Sequence, residues 1–383
     1  MEQLGFPLMQ SPARSMSPKG RSNLLLGTPR SGTNVTPGST EGPDGVVPMR
    51  PPQLLFVYPF PATFIQQDFE LLQTFCEVKP LLFTSRSQYP ALFKAALSAD
   101  VIYCWFALPF AALAGIEGRA IGRKVIVVAG GWDVERMPEI AYGRLLTRRG
   151  LAVARLSLNV PSLVLTFSES SKAAIREVAP KAPVRLGYLG VDSERFRPGE
   201  KEDLVVTVAQ VSRENVLRKG LRTFVQAATE VPEAQFVVVG KRVDEAFDEL
   251  RGEGSSNLRF TGELSDADLR GLLSRARVYV QGSYTEGFGV AMTEAMAAGC
   301  VPVATRRGAL PEVVGDTGFY VEYGDPRGLG EAIRKGLHSE LGTRARQRVL
   351  ERFTIGQRLD TLRSAILGMD AELTDSAREH HGD

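Results

Sequence analysis

Histidine is nearly missing from this chain. Among 383 residues only His338, His380 and His381 occur, so the first 337 positions contain none. A histidine-based catalytic triad or zinc site is thereby excluded from most of the chain. Cysteine is equally scarce. Cys76, Cys104 and Cys300 lie far apart in apolar surroundings, an odd number that builds no disulfide framework and suggests reduced core thiols of a cytoplasmic protein. Long hydrophobic runs are lacking too. The longest charge-free apolar stretch, Val101 to Ile116, is broken by Pro109 and falls short of the ~18 to 20 residues of a spanning helix. No apolar run follows a basic cluster near the N-terminus, so no secretory signal is expected.

What is present is a globular balance, with 43% hydrophobic and 23% charged residues in a length that suits two domains and an appendage. The net charge of +2 is unevenly spread: residues 1–50 carry +2, residues 51–198 carry +5 and residues 199–383 carry −5. A basic first half suggests an anionic partner; scattered solvated charges are the plainer alternative. Residues 1–50 hold seven Pro, seven Gly, six Ser and four Thr, with no apolar period beyond Leu24-Leu25-Leu26. Such a segment cannot bury enough surface to offset its chain entropy and is expected to be disordered.

From Leu54 short apolar runs alternate with amphipathic stretches. Strands are expected at Leu54–Tyr58, Val78–Leu82, Val101–Tyr103, Val125–Val128, Leu163–Phe167 and Val184–Leu189. After Pro198 and a charged linker, Gly199-Glu200-Lys201-Glu202-Asp203, the rhythm restarts with Leu204–Val208, Gln235–Val239, Leu258–Phe260, Val278–Gln281, Val301–Ala304 and Phe319–Val321. Strand–helix alternation implies parallel sheets covered on both faces, and its restart implies two of them. The fold class is therefore α/β: two doubly wound parallel-sheet, Rossmann-like domains, 51–198 and 199–354, facing a cleft. A last helix and polar tail occupy 355–383. Ligands of such sheets bind beyond the carboxyl ends of the strands, which puts the site in the cleft.

Two segments carry chemistry. In the first, Glu286-Gly287-Phe288-Gly289-Val290 follows a strand and opens a helix in which Glu294 stands one turn further on. Gly287 and Gly289 let bare backbone approach a ligand, and helix-start N–H groups favour negative charge. The two glutamates suit sugar or ribose hydroxyls, or merely complement the helix dipole. In the second, Arg213-Glu-Asn-Val-Leu-Arg-Lys219-Gly220 reads as a basic loop at the end of Leu204–Val208, with Arg213 and Lys219 as an anion-binding pair. Asp133, Glu139 and Tyr142 follow Val125–Val128 and are candidates for orienting an acceptor hydroxyl. Asp266-Ala267-Asp268 imitates an Asp-x-Asp metal motif, but Ser265 ahead of it is a good N-cap, so both acids are expected in a helix's first turn and no metal is expected. Arg144, Arg148, Arg149 and Arg155, interleaved with Leu145, Leu146, Leu151 and Val153, suit either an anionic membrane surface or a solvated helix face.

Taken together, these segments resemble the retaining, nucleotide-sugar-dependent glycosyltransferases of family four, which have the GT-B fold. The resemblance rests on the Glu-x7-Glu pair (Glu286, Glu294), the basic pair Arg213 and Lys219, Gly190-Val191-Asp192 with Phe196 and Pro198, and Gly308-Ala-Leu-Pro-Glu312-Val-Val. It covers residues 54 to about 370. It implies that Glu286 touches the donor sugar, that Glu294 holds the ribose beside Gly287, Phe288, Gly289 and Val290, and that Arg213 and Lys219 stabilise the departing diphosphate. It further implies a glycan, lipid-linked or small-molecule acceptor and no nucleic acid. Two features differ from the family. Pro59-Phe-Pro-Ala-Thr63 stands where a glycine pair often follows the first strand, and the first-domain histidine near the sugar is absent, its region reading Trp105-Phe-Ala107. A nucleotide-sugar 2-epimerase of the same fold and a catalytically weak partner subunit are the alternative readings.

Overall fold

A computed structural model describes residues 50–368, so the reading of residues 1–49 and of the tail after 368 lies outside the described residues. Two six-stranded parallel sheets form, as the alternation implied. The first contains β1 (Gln53–Tyr58), β2 (Glu77–Leu82), β3 (Val101–Trp105), β4 (Lys124–Val128), β5 (Leu163–Thr166) and β6 (Val184–Leu186), in the order β2-β1-β3-β4-β5-β6. The second contains β7 (Glu202–Val208), β8 (Gln235–Val239), β9 (Leu258–Gly262), β10 (Ala276–Gln281), β11 (Val301–Thr305) and β12 (Phe319–Val321), in the order β12-β11-β10-β7-β8-β9. The β-branched runs of β4 and β8 are buried almost throughout because helices cover both sheet faces. Strand order reverses between β1 and β3 and between β7 and β10. Those two switch points are where crevices open at the carboxyl ends of the strands.

Two local expectations are corrected. The charged linker is shorter than expected, since Glu202 and Asp203 already belong to β7, and Lys201 is no free linker charge. Its Nζ donates to the carbonyls of Ala276 and Ala298 at 2.9 and 2.7 Å, tying the domain entry to the sheet. The basic segment after β7 is no loop. Ser212 accepts a hydrogen bond from the Asn215 N–H and caps a helix, Arg213–Arg218, after which Gly220 turns left-handed. The Ser265 cap on the helix Asp266–Arg275 is found as expected, with its Oγ accepting from Asp268 N–H at 3.2 Å.

The last described helix leaves the domain that precedes it. The helix Ile355–Leu367 returns to the first domain, where Arg358 is fully buried. Its guanidinium grips the equally buried Asp68 at two points, 2.8 and 2.6 Å, and donates to the Gly187 carbonyl at 2.8 Å, while the Tyr103 hydroxyl donates to Asp68 at 2.7 Å. Gly190 makes room for this return, because a Cβ there would sit 2.8 Å from Ile355 Cα and 2.9 Å from the Thr354 carbonyl. The glycine of the Gly190-Val191-Asp192 motif is thus a packing requirement.

Breaking a buried pair leaves an uncompensated charge, which typically costs about 3–5 kcal/mol. Arg358→Met should therefore destabilise the protein by about that amount in chemical denaturation, with Asp68 left unpaired. A loss under about 1 kcal/mol would show that the pair contributes little beyond its packing.

Candidate active site

A cavity of about 240 Å³ lies between the sheets, lined only by residues at or beyond the strands' carboxyl ends. The first domain contributes an uncharged wall of Phe60, Phe64, Phe106 and Phe167 with Gly130, Gly131, Trp132 and Tyr142. Phe106 is held at φ 74°, a strained conformation for a bulky residue and one that tends to occur at functional sites. These aromatic residues and the Gly130-Gly131 pair occupy the face where the family-like glycine pair and histidine are missing. The second domain contributes Arg218, Lys219, Gln281, Glu286 and the run Gly287–Ala291.

Glu286 anchors this second wall. Its Oε1 accepts from Gln281 Nε2 at 2.8 Å and from the Ser283 hydroxyl at 2.7 Å, and it is ion-paired with Lys219. Burial pushes the Glu286 carboxyl up, but the Lys219 and Arg218 charges and the hydrogen bonds from Lys219 and Ser283 outweigh it, so Glu286 stays below the ordinary carboxylate range. Burial draws the Lys219 ammonium down, against the opposing pull of Glu286. The pair stands beside Gly289 and the start of the helix Val290–Ala297, whose free N–H groups favour an anion. Phe288 turns its ring away into a core cluster with Tyr188 and Phe353, at 6.2 and 5.6 Å between ring centroids.

The domains touch across the cleft at several places. A Cβ on Gly287 would meet the Phe167 ring at 2.9 Å and Gly131 Cα at 3.2 Å, so glycine here serves domain contact as well as ligand approach. The Arg218 guanidinium lies 5.1 Å from the Tyr142 ring centroid, a cation–π contact. The Thr285 hydroxyl donates to Glu135 at 3.1 Å. Nearby, Glu312, expected in a turn, lies in the short helix Leu310–Val314 and accepts the Glu169 N–H at 2.8 Å, capping a first-domain helix.

Several expected site residues fall elsewhere. Arg213 is two-thirds exposed and pairs with Glu245 and Glu249 at 2.8 and 3.1 Å, outside the cavity. The physical reason is the helix: residues 213 and 218 project from different sides, and it is Arg218 that accompanies Lys219. Reading Ser212 as an N-cap would have revealed this. Asp133 does not face the cleft. It is fully buried, accepting from Ala107 and Gly130 N–H at 2.8 and 3.2 Å, and burial pushes it up to about 7. Glu139 is exposed on a 3-10 turn outside the cavity. Of the three acceptor-side candidates only Tyr142 lines it. Glu294 lies inside the helix, away from the cavity lining; burial and the nearby Asp266 push it up to about 7 against Arg195. Sequence reasoning missed Glu135, Gln281, Ser283 and the aromatic wall, none of which forms a local motif.

Two Rossmann-like domains facing such a cleft are the GT-B architecture. The crystal structure of Anabaena Alr3699/HepE in complex with UDP and glucose superposes with a TM-score of 0.69 at 17% identity, covering 83% of this chain and all of that one. Within this fold, residues 202–339 match the family Glycosyl transferases group 1. N-acetyl-alpha-D-glucosaminyl L-malate synthase of Bacillus anthracis is 25% identical over 281 residues, 66% of this chain and 71% of that protein. The MMP alpha-(1->4)-mannosyltransferase of Mycolicibacterium hassiacum is 30% identical over 250 residues, 61% of this chain and 59% of that protein.

The raised Glu294 value carries a sign. Its folded-state value of about 7 exceeds the unfolded one, so ionisation costs stability increasingly from about pH 4.5 to about pH 7 and fully above that. Glu294→Gln should match the wild type at pH 4 and be about 2–3 kcal/mol more stable at pH 8 in denaturant titrations. An equal difference at both values would show that Glu294 ionises normally in the folded protein.

Proposed function

We propose that this protein is a glycosyltransferase that moves a sugar from a nucleotide-sugar donor to an acceptor hydroxyl with retention of anomeric configuration. The observation that carries the reading is the buried Glu286–Lys219 pair, set at a helix N-terminus and facing an uncharged wall across the cleft. In this reading Lys219, Arg218 and the N–H groups at Val290 take the diphosphate. Glu286, held by three side chains, takes the sugar hydroxyls, while Glu294, inside the helix and away from the cavity lining, is given the ribose by the family resemblance alone. Arg213 would join the phosphates only by leaving Glu245 and Glu249. Glu286 is too engaged by Lys219, Gln281 and Ser283 to act as a displaced nucleophile, which favours attack from the face the diphosphate leaves. The leaving charge is met by side chains, so no metal or other cofactor is needed.

A glycan, lipid-linked or small-molecule hydroxyl reaches the sugar from the aromatic side. No described helix is long and apolar enough to cross a membrane. Arg148, Arg149, Arg155 and Leu156 are exposed together on the helix Arg148–Asn159, which supports peripheral contact with an anionic membrane, and three free buried thiols suit a cytoplasmic setting. Binding to anionic vesicles should then weaken as salt rises. Equal binding to neutral vesicles would remove the membrane contact alone.

The kinetic test separates the roles. Lys219→Ala should lower kcat by about 10²- to 10³-fold while weakening donor binding much less, because the leaving charge grows toward the transition state. Glu286→Ala should still bind the nucleoside diphosphate yet lose transfer. Turnover should persist in chelator. Near-normal turnover in both variants would reject this site. Sugar altered without an acceptor would indicate an epimerase, and no turnover with any donor a partner subunit.

A further inference from the structure

We propose that Glu135 is a positioning residue of this cleft: it reaches from the first domain to Thr285 and sets the charge that a donor diphosphate meets at Arg218 and Lys219. The inference rests on the donor-site reading above and adds a first-domain residue to it.

The loop that presents Glu135 is built to hold it still. Asp133 ties the loop to Ala107 and Gly130 through two backbone N–H groups. Met137 and Tyr142 exchange backbone hydrogen bonds of 2.8 and 3.0 Å, and Arg144 N–H reaches the Trp132 carbonyl at 2.8 Å. Leu145 N–H closes on the carbonyl of Glu135 itself at 3.2 Å. From this frame the side chain crosses to the other domain, where Oε1 accepts from Thr285 and Oε2 is buried without a hydrogen-bond partner. A buried carboxylate left half satisfied is costly. What surrounds it explains why it is tolerated.

The second domain offers it Arg218 and Lys219 as cations and Glu286 as an anion, with Glu214 on the far side of Arg218 at 3.7 Å. Its own loop adds buried Asp133 and the Tyr142 hydroxyl. Burial pushes Glu135 up to about 7; the Thr285 bond and the two cations hold it down, and Glu286 raises it. Near neutrality the side chain therefore exchanges a proton. Ionisation adds one negative charge beside the cations that would receive a diphosphate. An arriving diphosphate favours the protonated form, so donor affinity falls as pH rises through about 7. Thr285 immediately precedes Glu286, so the cross-cleft bond also fixes the carboxyl that pairs with Lys219.

Calorimetric binding of UDP-glucose and GDP-mannose, whose diphosphate diesters do not titrate near neutrality, tests this in the full chain. For whichever donor binds, wild-type affinity should drop about fivefold between pH 6 and pH 8, the effect of about one unit of coupling. Glu135→Gln should bind more tightly than the wild type at pH 8 and lose most of the slope, the remainder belonging to Asp133 and Glu294. Thr285→Val removes a bond that favours the ionised form and should move the transition to higher pH, which keeps the inference testable if the glutamine variant fails to fold. A wild-type pH slope that persists in folded Glu135→Gln, or an unmoved transition in Thr285→Val, overturns the role of Glu135 while the donor site stands. Binding of neither nucleotide sugar to the wild type overturns the donor reading and this inference with it.

Discussion

The fully buried ion pair between Asp68 and Arg358 decides how the two halves of the molecule are joined. Each charge alone would be expensive to remove from water, and their bidentate geometry, with Tyr103 and the Gly187 carbonyl filling the remaining positions, offsets that cost. The residues are 290 positions apart in the chain. By holding the last helix against the first sheet, the pair turns a two-domain string into a closed arrangement in which the chain crosses twice between domains. The parallel bridge between Val191 and Thr354 marks where the two crossings run side by side.

The cleft inherits its chemistry from that arrangement. One wall is aromatic and uncharged, the other holds a buried carboxylate among cations at the start of a helix. Charge interactions strengthen where water is excluded, so an anion brought to the Glu286–Lys219 pair would be strongly felt. The small contacts that close the cleft, Gly131 on Gly287, Tyr142 on Arg218 and Glu135 on Thr285, all lie within this same region. Domain approach and site chemistry are therefore coupled physically: moving one domain changes the environment of the groups that bind charge.

Local pattern carried far. All twelve strands were legible because a parallel strand buried on both faces must be almost continuously apolar, as in Val125–Val128 and Val237–Val239. The segment from Glu286 to Glu294 was legible because a glycine-flanked strand end followed by a helix start is a local event. The helix Leu341–Arg352 was missed because its arginine-rich surface hides a narrow buried stripe at Ala345 and Val349. That Arg213 pairs with Glu245 and Glu249 outside the cavity was not legible, because its charge was visible while the direction of its helix was not.

Sequence by itself determined the twelve strands, their two parallel sheets and the segment from Glu286 to Glu294, since each depends on residues within one or two turns of chain. Tertiary structure alone decided that Arg218 rather than Arg213 lines the cavity, that Asp133 is a buried loop tie, and that Glu135 meets Thr285. The reason is that burial and charge environment arise from neighbours far apart in sequence. A carboxylate's desolvation, and the cation that answers it, exist only once the two sheets face each other.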